Sequence, residues 1–132
     1  MKGFKRTPQR LAIIDFLEGN TSHPSAEDIF KAVGKNNPTL SFATVYNTVN
    51  TLVQTGVIRE LTIDPDRKRY DPDTSVHHHM ICQECKTVFD IFTPVPVEVP
   101  AELSKDFRVT GCHVEFTGEC AACRKKNKHR DV

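Results

Sequence analysis

No apolar run in the chain approaches the roughly 20 residues that a membrane-spanning helix needs, so no such helix is expected. The first ten residues carry Lys2, Lys5, Arg6 and Arg10 and no acid, but they lack the apolar core of a secretory signal. A cytoplasmic, reducing setting is therefore expected, in which paired cysteines serve a metal rather than a disulfide framework. No internal repeat and no low-complexity tract occurs, apart from a basic tail over residues 124–130 that reads as a solvated, frayed end. A strong excess of one charge is also missing. The net charge of +1 hides an asymmetry, with +3 over residues 1–70 and −2 over residues 71–132. That basic bias is compatible with phosphate contacts in the N-terminal half. What remains is an ordinary soluble composition, 38% hydrophobic and 27% charged in 132 residues, enough for one domain or two small ones.

Cysteine is scarce but patterned. Four of the five cysteines form two C-x-x-C pairs, Cys82/Cys85 and Cys120/Cys123, with 34 residues between the pairs. Each pair fits a tight knuckle on one side of a tetrahedral ion, and two knuckles complete a closed structural zinc site. The odd cysteine, Cys112, reads as a small buried side chain in a strand.

The N-terminal half punctuates itself as three helices. Thr7-Pro8 is an N-cap followed by proline at the first helical position, opening a stripe of Leu11, Ile14 and Leu17 that stops at Gly19. Ser25 with Asp28 is capping-box-like, and Gly34 closes the segment that it opens. Ser41 starts a third helix, which ends at Gly56. Residues 57–63, a turn at residues 64–66 and residues 67–70 read as a hairpin. Three short helices and a hairpin make a winged helix-turn-helix, whose last helix enters the major groove of DNA. On that helix Ser41, Ala43, Thr44 and Thr48 are small, while Tyr46 and Asn47 reach base edges. The second half is strand-rich, with strands expected at residues 88–92 and 108–117. A proline-rich loop over residues 94–100 and a helical turn from Ala101 lie between them.

Histidine and aspartate supply a second, chemically different donor set. In an extended run His77 and His79 point to one face and His78 to the other. His77, His79, Asp90, Asp71 and, from the N-terminal half, His23 offer three nitrogens and two oxygens. Such a mixed set suits Fe(II), Mn(II), Co(II) or Zn(II).

These motifs together resemble the ferric uptake regulator family. The resemblance rests on Arg6-Thr7-Pro8-Gln9-Arg10, on the run from His23 to Phe30, and on Ala43-Thr44-Val45-Tyr46-Asn47. It rests equally on His77-x-His79-x-x-Cys82-x-x-Cys85 and on the closing Cys120-x-x-Cys123, so it covers essentially the whole chain. It implies an α+β fold: a winged-helix DNA-binding domain over residues 1–70, a hinge at 71–75, and a small α/β dimerisation domain with the four-cysteine zinc site over 76–132. It also implies a homodimeric, metal-dependent repressor on an AT-rich inverted-repeat operator in double-stranded DNA. Lys5 or Arg6 would reach a narrow minor groove beside it.

Within the family the chain is most similar to the peroxide-sensing branch. There His23, Asp71, His77, His79 and Asp90 match the residues that hold regulatory iron or manganese, and His23 and His77 match the imidazoles oxidised by peroxide. Iron-uptake members typically carry Glu where Asp90 stands, and often Tyr-Arg where Tyr46-Asn47 stands. Two departures are visible: the chain begins close to its first helix, so the extra N-terminal helix of many relatives is not expected. Val76 replaces a histidine of a further metal site, leaving His78, His113 and Glu98. The alternative within the family is a regulator of iron or zinc uptake. A metalloenzyme built on His77, His79 and Asp90 would leave the winged helix unexplained.

Overall fold

The computed structural model describes residues 6–130, which divide into two compact units, one ending at Ser75 and the other beginning at Val76. The first unit holds α1 (Pro8–Leu17), α2 (Ala26–Gly34), α3 (Phe42–Gln54), β1 (Arg59–Leu61) and β2 (Arg69–Asp71). The helix starts follow the capping chemistry of the sequence. Thr7 accepts a hydrogen bond from the Arg10 N–H, Ser41 accepts one from the Thr44 N–H, and Ser25 and Asp28 form a reciprocal capping box. Gly19 and Gly56, with φ of +69° and +77°, turn the chain out of α1 and α3 in a conformation that costs glycine little.

The core of this unit gathers Ile13 and Leu17 of α1, Ile29 and Val33 of α2, and Val45, Val49 and Leu52 of α3. Ile58 and Tyr70 close it from the hairpin side. Leu11 departs from the expected stripe and is exposed. Ile13 takes its place in the core, because Ile13 and Leu17 stand four residues apart on one helical face. The hairpin strands are shorter than the sequence suggests, pairing Arg59 with Asp71 through Leu61 with Arg69. The result is a winged helix-turn-helix.

The second unit contains β3 (His78–Cys82), β4 (Val88–Ile91), α4 (Ala101–Ser104), β5 (Glu115–Gly118) and α5 (Ala121–Arg130). Its sheet has the order β4-β3-β5, with β3 antiparallel to β4 and parallel to β5. Among the described residues, Ile81, Cys82 and Val88 are its buried apolar ones, a core small enough to benefit from a metal.

Three expectations change here. The strand over 108–117 is confined to β5, because residues 107–114 find no ladder among the described residues and Gly111 interrupts the alternation. Cys112 consequently lies in irregular chain and is exposed rather than buried in a strand. The basic tail, expected as an irregular end, is helical up to Arg130. Its first turn is tied down by Arg124 N–H donating to the Cys120 carbonyl, and Asn127 donates to Glu119. No helix among the described residues is long and apolar enough to cross a membrane.

Candidate metal centres and DNA-reading face

Parallel pairing explains how two cysteine pairs so far apart in sequence meet. Because β3 and β5 run in the same direction, with Cys82 beside Gly118, both strands deliver their following turns to one end of the sheet. Cys82 closes β3, Cys85 sits in the turn before β4, Cys120 follows β5, and Cys123 lies in the first turn of α5. The turn after Cys82 is fixed by Lys86 N–H donating to the Cys82 carbonyl and by Gln83 N–H donating to Gly118. All four Sγ atoms lie within 4.8 Å of one another, with Cys85 and Cys120 at 3.9 Å.

Their protonation is uneven. Backbone N–H groups of Cys85 and then Cys120 hold the Cys82 thiol down to about 6, against the effect of burial. Hydrogen bonding with Cys120, followed by burial, pushes Cys123 up to about 12. Four convergent sulfurs with amide donors already aimed at one thiolate are the donor set of a closed tetrahedral site. A bound dication would hold all four deprotonated.

The second unit also gathers His77, His79 and Asp90. His79 is the ladder partner of Asp90, and alternation puts His77 on the same side. Nε2 of His77 and Nε2 of His79 lie 3.2 and 3.3 Å from the same carboxylate oxygen, Asp90 Oδ1. Both imidazoles are buried, and His77 stacks on Phe92 at a centroid distance of 4.8 Å. Nδ1 of His79 lies 3.0 Å from Nε2 of His113, whose Nδ1 is 3.5 Å from Glu115 Oε1. This is the outer support that orients a ligating imidazole. His78 Nδ1 accepts the Val114 N–H at 2.9 Å, and its ring centroid lies 5.9 Å from that of His113. In this arrangement His113 backs His79, and His78 is engaged with the backbone.

The first unit pairs the remaining two donors. His23 Nε2 lies 3.5 Å from Asp71 Oδ2, and both side chains are almost wholly buried. His23 has a left-handed backbone, φ +53°, which is uncommon for a residue other than glycine. The sequence alone did not disclose what holds it there. Arg69, buried on β2, donates from Nη1 to the His23 carbonyl at 3.0 Å and pairs through Nε with Asp64 at 3.4 Å. A buried arginine leaves no signature in a run as basic as Arg67-Lys68-Arg69. Within each unit, imidazole and carboxylate donors lie within 3.5 Å of one another, a donor chemistry that fits a divalent ion of intermediate hardness.

On α3 the exposed positions are Phe42, Ala43, Tyr46, Asn47 and, at its far end, Gln54, with the capping Ser41 exposed at its start and Thr44 half-buried. Tyr46 stacks against Phe42 at 6.4 Å, and Phe42 meets Phe30 edge-on at 6.0 Å. Thr48 is not on this face. It is buried, with its hydroxyl donating to the Thr44 carbonyl, because it sits one turn before Leu52 on the core side. Arg6 is exposed, and Lys5 lies outside the described residues.

A winged helix followed by a small α/β unit with a four-cysteine cluster defines a class: DNA-binding regulators that carry metal. Comparison with known proteins narrows it. Residues 1–117 match the Ferric uptake regulator family. The peroxide operon regulator of Bacillus subtilis is 38% identical over 129 residues, covering 96% of this chain and 89% of the relative. The peroxide-responsive repressor PerR of Staphylococcus epidermidis is 36% identical over 126 residues, covering 94% and 84%. Among solved structures, a ferric uptake regulator from Francisella tularensis with iron superposes with a TM-score of 0.76 at 25% identity, covering 94% of this chain and 97% of that one. The peroxide-sensing regulator PerR from Streptococcus pyogenes gives 0.51 at 32% identity, covering 92% and 85%. The chain belongs to the ferric uptake regulator family, a family of transcription regulators.

Proposed function

We propose that this chain is a cytoplasmic, homodimeric repressor that binds an AT-rich inverted-repeat operator when loaded with metal and releases it on exposure to hydrogen peroxide. The observation that carries the reading is the sharing of Asp90 Oδ1 by the buried imidazoles of His77 and His79. The similarity to two peroxide-responsive regulators supports it. In this reading Cys82, Cys85, Cys120 and Cys123 hold a structural zinc ion. His23, Asp71, His77, His79 and Asp90 hold iron(II) or manganese(II).

Iron(II) bound there would lend one electron to cleave the O–O bond of peroxide and regain it from the ring, so that overall the imidazole supplies both electrons. The chain contributes the target. An imidazole of His23 or His77 gains one oxygen atom at carbon, and the other peroxide oxygen leaves as water. The modified ring is a weaker donor, so the ligand set loses a member contributed by the DNA-binding half or by the start of β3. A ligand that favours the DNA-competent conformer raises its population, and losing that ligand lowers it.

Dimer formation is supported by the opposite face of the sheet. Met80, Phe89 and Phe116 lie side by side across the three strands and are exposed. An apolar row of this kind marks an association surface.

The test is operator binding by iron-loaded and manganese-loaded protein, each with and without peroxide, together with peptide mass spectrometry. A gain of one oxygen on His23 or His77 in the iron form, matched by loss of operator binding, is expected. Equal oxidation of the manganese form would overturn the mechanism. If iron promotes binding and no histidine is oxidised, the protein reports iron availability instead.

A further inference from the structure

Three consecutive residues of β2 grip the turn that carries His23. Arg69 donates from Nη1 to the His23 carbonyl at 3.0 Å, Tyr70 N–H donates to the Pro24 carbonyl at 2.9 Å, and Asp71 Oδ2 stands 3.5 Å from His23 Nε2. Strand alternation places Arg69 and Asp71 on the same side of β2, so one holds the backbone of His23 and the other meets its ring. The backbone needs holding. His23 sits at φ +53°, and Pro24 follows it and restricts it further. Such a conformation persists in a residue other than glycine only where its surroundings over-determine it.

The guanidinium is itself anchored. Its Nε faces Oδ2 of Asp64, whose side chain has 0% exposure, while Oδ1 of Asp64 accepts the Asp66 N–H at 2.9 Å. Arg67, half exposed, approaches the same Oδ2 at 3.8 Å. A planar fork can address Asp64 through one nitrogen and the His23 carbonyl through another at the same time. A lysine ammonium has one nitrogen and no such geometry.

We propose that Arg69, anchored by Asp64, is a positioning residue for the regulatory ligand His23: it holds the left-handed backbone that aims the imidazole at Asp71. The inference rests on the reading that His23 and Asp71 belong to the regulatory metal site. It adds a residue pair that ligates nothing and yet sets how well His23 ligates and how readily it is oxidised.

Two variants test it. Arg69→Lys keeps a counter-charge for Asp64 but loses the fork. Asp64→Asn/Arg69→Met removes the buried pair together, so that neither charge is left uncompensated, a replacement that folds readily in other buried pairs. Manganese(II) affinity is measured by electron paramagnetic resonance titration. The ratio of oxidised His23 to oxidised His77 is measured by mass spectrometry after peroxide treatment of iron-loaded protein. Zinc content and circular dichroism report folding. Both variants should bind manganese about 10–100-fold more weakly, the range for loss of an outer support, and the oxidation ratio should shift from His23 towards His77. A general loss of structure would depress both oxidation products together, so the ratio separates positioning from mere stability. A folded double variant with parental affinity and an unchanged ratio overturns the inference. His23→Ala and Asp90→Ala are run in parallel. If they bind manganese as tightly as the parent, the metal-site reading has failed and the role of Arg69 falls with it. If they lose the metal while the double variant does not, only the role of Arg69 falls.

Discussion

His79 and Asp90 are ladder partners across β3 and β4, with Nε2 of the imidazole 3.3 Å from Oδ1 of the carboxylate. The register places them together, and the same oxygen lies 3.2 Å from Nε2 of His77. On the opposite face the neighbouring pair is Met80 and Phe89, both exposed. A one-residue slip would exchange the polar donors for the apolar row. The pleat thus sets imidazole and carboxylate groups on one side of the sheet and an exposed apolar row on the other.

Asp90 gives the first prediction. Asp90→Ala should weaken manganese(II) binding by more than the roughly 10–100-fold that loss of an outer support costs, because it removes a donor rather than its backing. Asp90→Glu should retain metal-dependent operator binding and respond more slowly to peroxide, because the added methylene displaces the oxygen that both imidazoles share. Calorimetric titration and operator binding over a peroxide series check the two variants.

The cysteines give the second. Cys82→Ser should lose zinc and weaken the dimer, because a unit whose buried apolar residues, among those described, are Ile81, Cys82 and Val88 would draw folding free energy from a metal. Cys112→Ser should keep a full complement of zinc, since Cys112 is exposed and away from the cluster of four sulfurs. Zinc released to a chromogenic chelator, followed by size-exclusion chromatography, measures both effects.

Local chemistry was the legible part. Thr7, Ser25 and Ser41 start their helices as their side chains dictate, and alternation alone puts His77 and His79 on one side. What required the fold was long-range. The meeting of the two C-x-x-C pairs depends on parallel pairing of β3 with β5, which no local pattern specifies. The alternation of residues 108–117 suggests a full strand, but strand structure needs a neighbour, and only residues 115–118 have one among those described. The left-handed backbone of His23 depends on Arg69, a residue 46 positions away in sequence. Leu11 and Thr48 show that a hydropathy stripe fixes a helix more reliably than it fixes which side chain turns inward.

For DNA recognition, Tyr46→Ala and Asn47→Ala should each relax base preference at a cost of roughly 1–3 kcal/mol. Both side chains are exposed on α3 beside Ala43. Arg6→Ala should instead weaken binding to all sequences and lower the salt slope by about one unit, as expected for a phosphate contact. Fluorescence anisotropy on operator and scrambled duplexes, over a salt series, distinguishes the two patterns.

The capping box of α2 yields a pH prediction. Burial alone would raise the Asp28 carboxyl. Hydrogen bonds from the Ser25 N–H and hydroxyl, with Arg67 and Arg69 nearby, outweigh it and hold the group below its ordinary 3.8. A lowered folded value means that the ionised carboxylate stabilises the fold above about pH 4, and that this contribution is lost as pH falls through the lowered value. Asp28→Ala should therefore cost about 0.3–1 kcal/mol at neutral pH, and the gap to the parent should close in acid. Parallel urea unfolding at pH 7 and at successively lower pH measures that gap.

The last prediction concerns the apolar row. Phe116 stands on β5, beside Met80 in the register, with 39% of its surface exposed. A solvent-facing phenylalanine flanked by Met80 and Phe89 gains free energy when a second copy covers it. A carboxylate there would be desolvated without a partner. Phe116→Glu should therefore shift the protein to a monomer while leaving the four-cysteine cluster loaded with zinc. Binding to the inverted repeat should fall far more than binding to a single half-site, because the two-fold operator rewards two recognition helices held together. Analytical ultracentrifugation with zinc quantification, followed by binding to full-site and half-site duplexes, decides the matter. A zinc-loaded Phe116→Glu dimer with parental operator affinity would place the association surface elsewhere on the second unit.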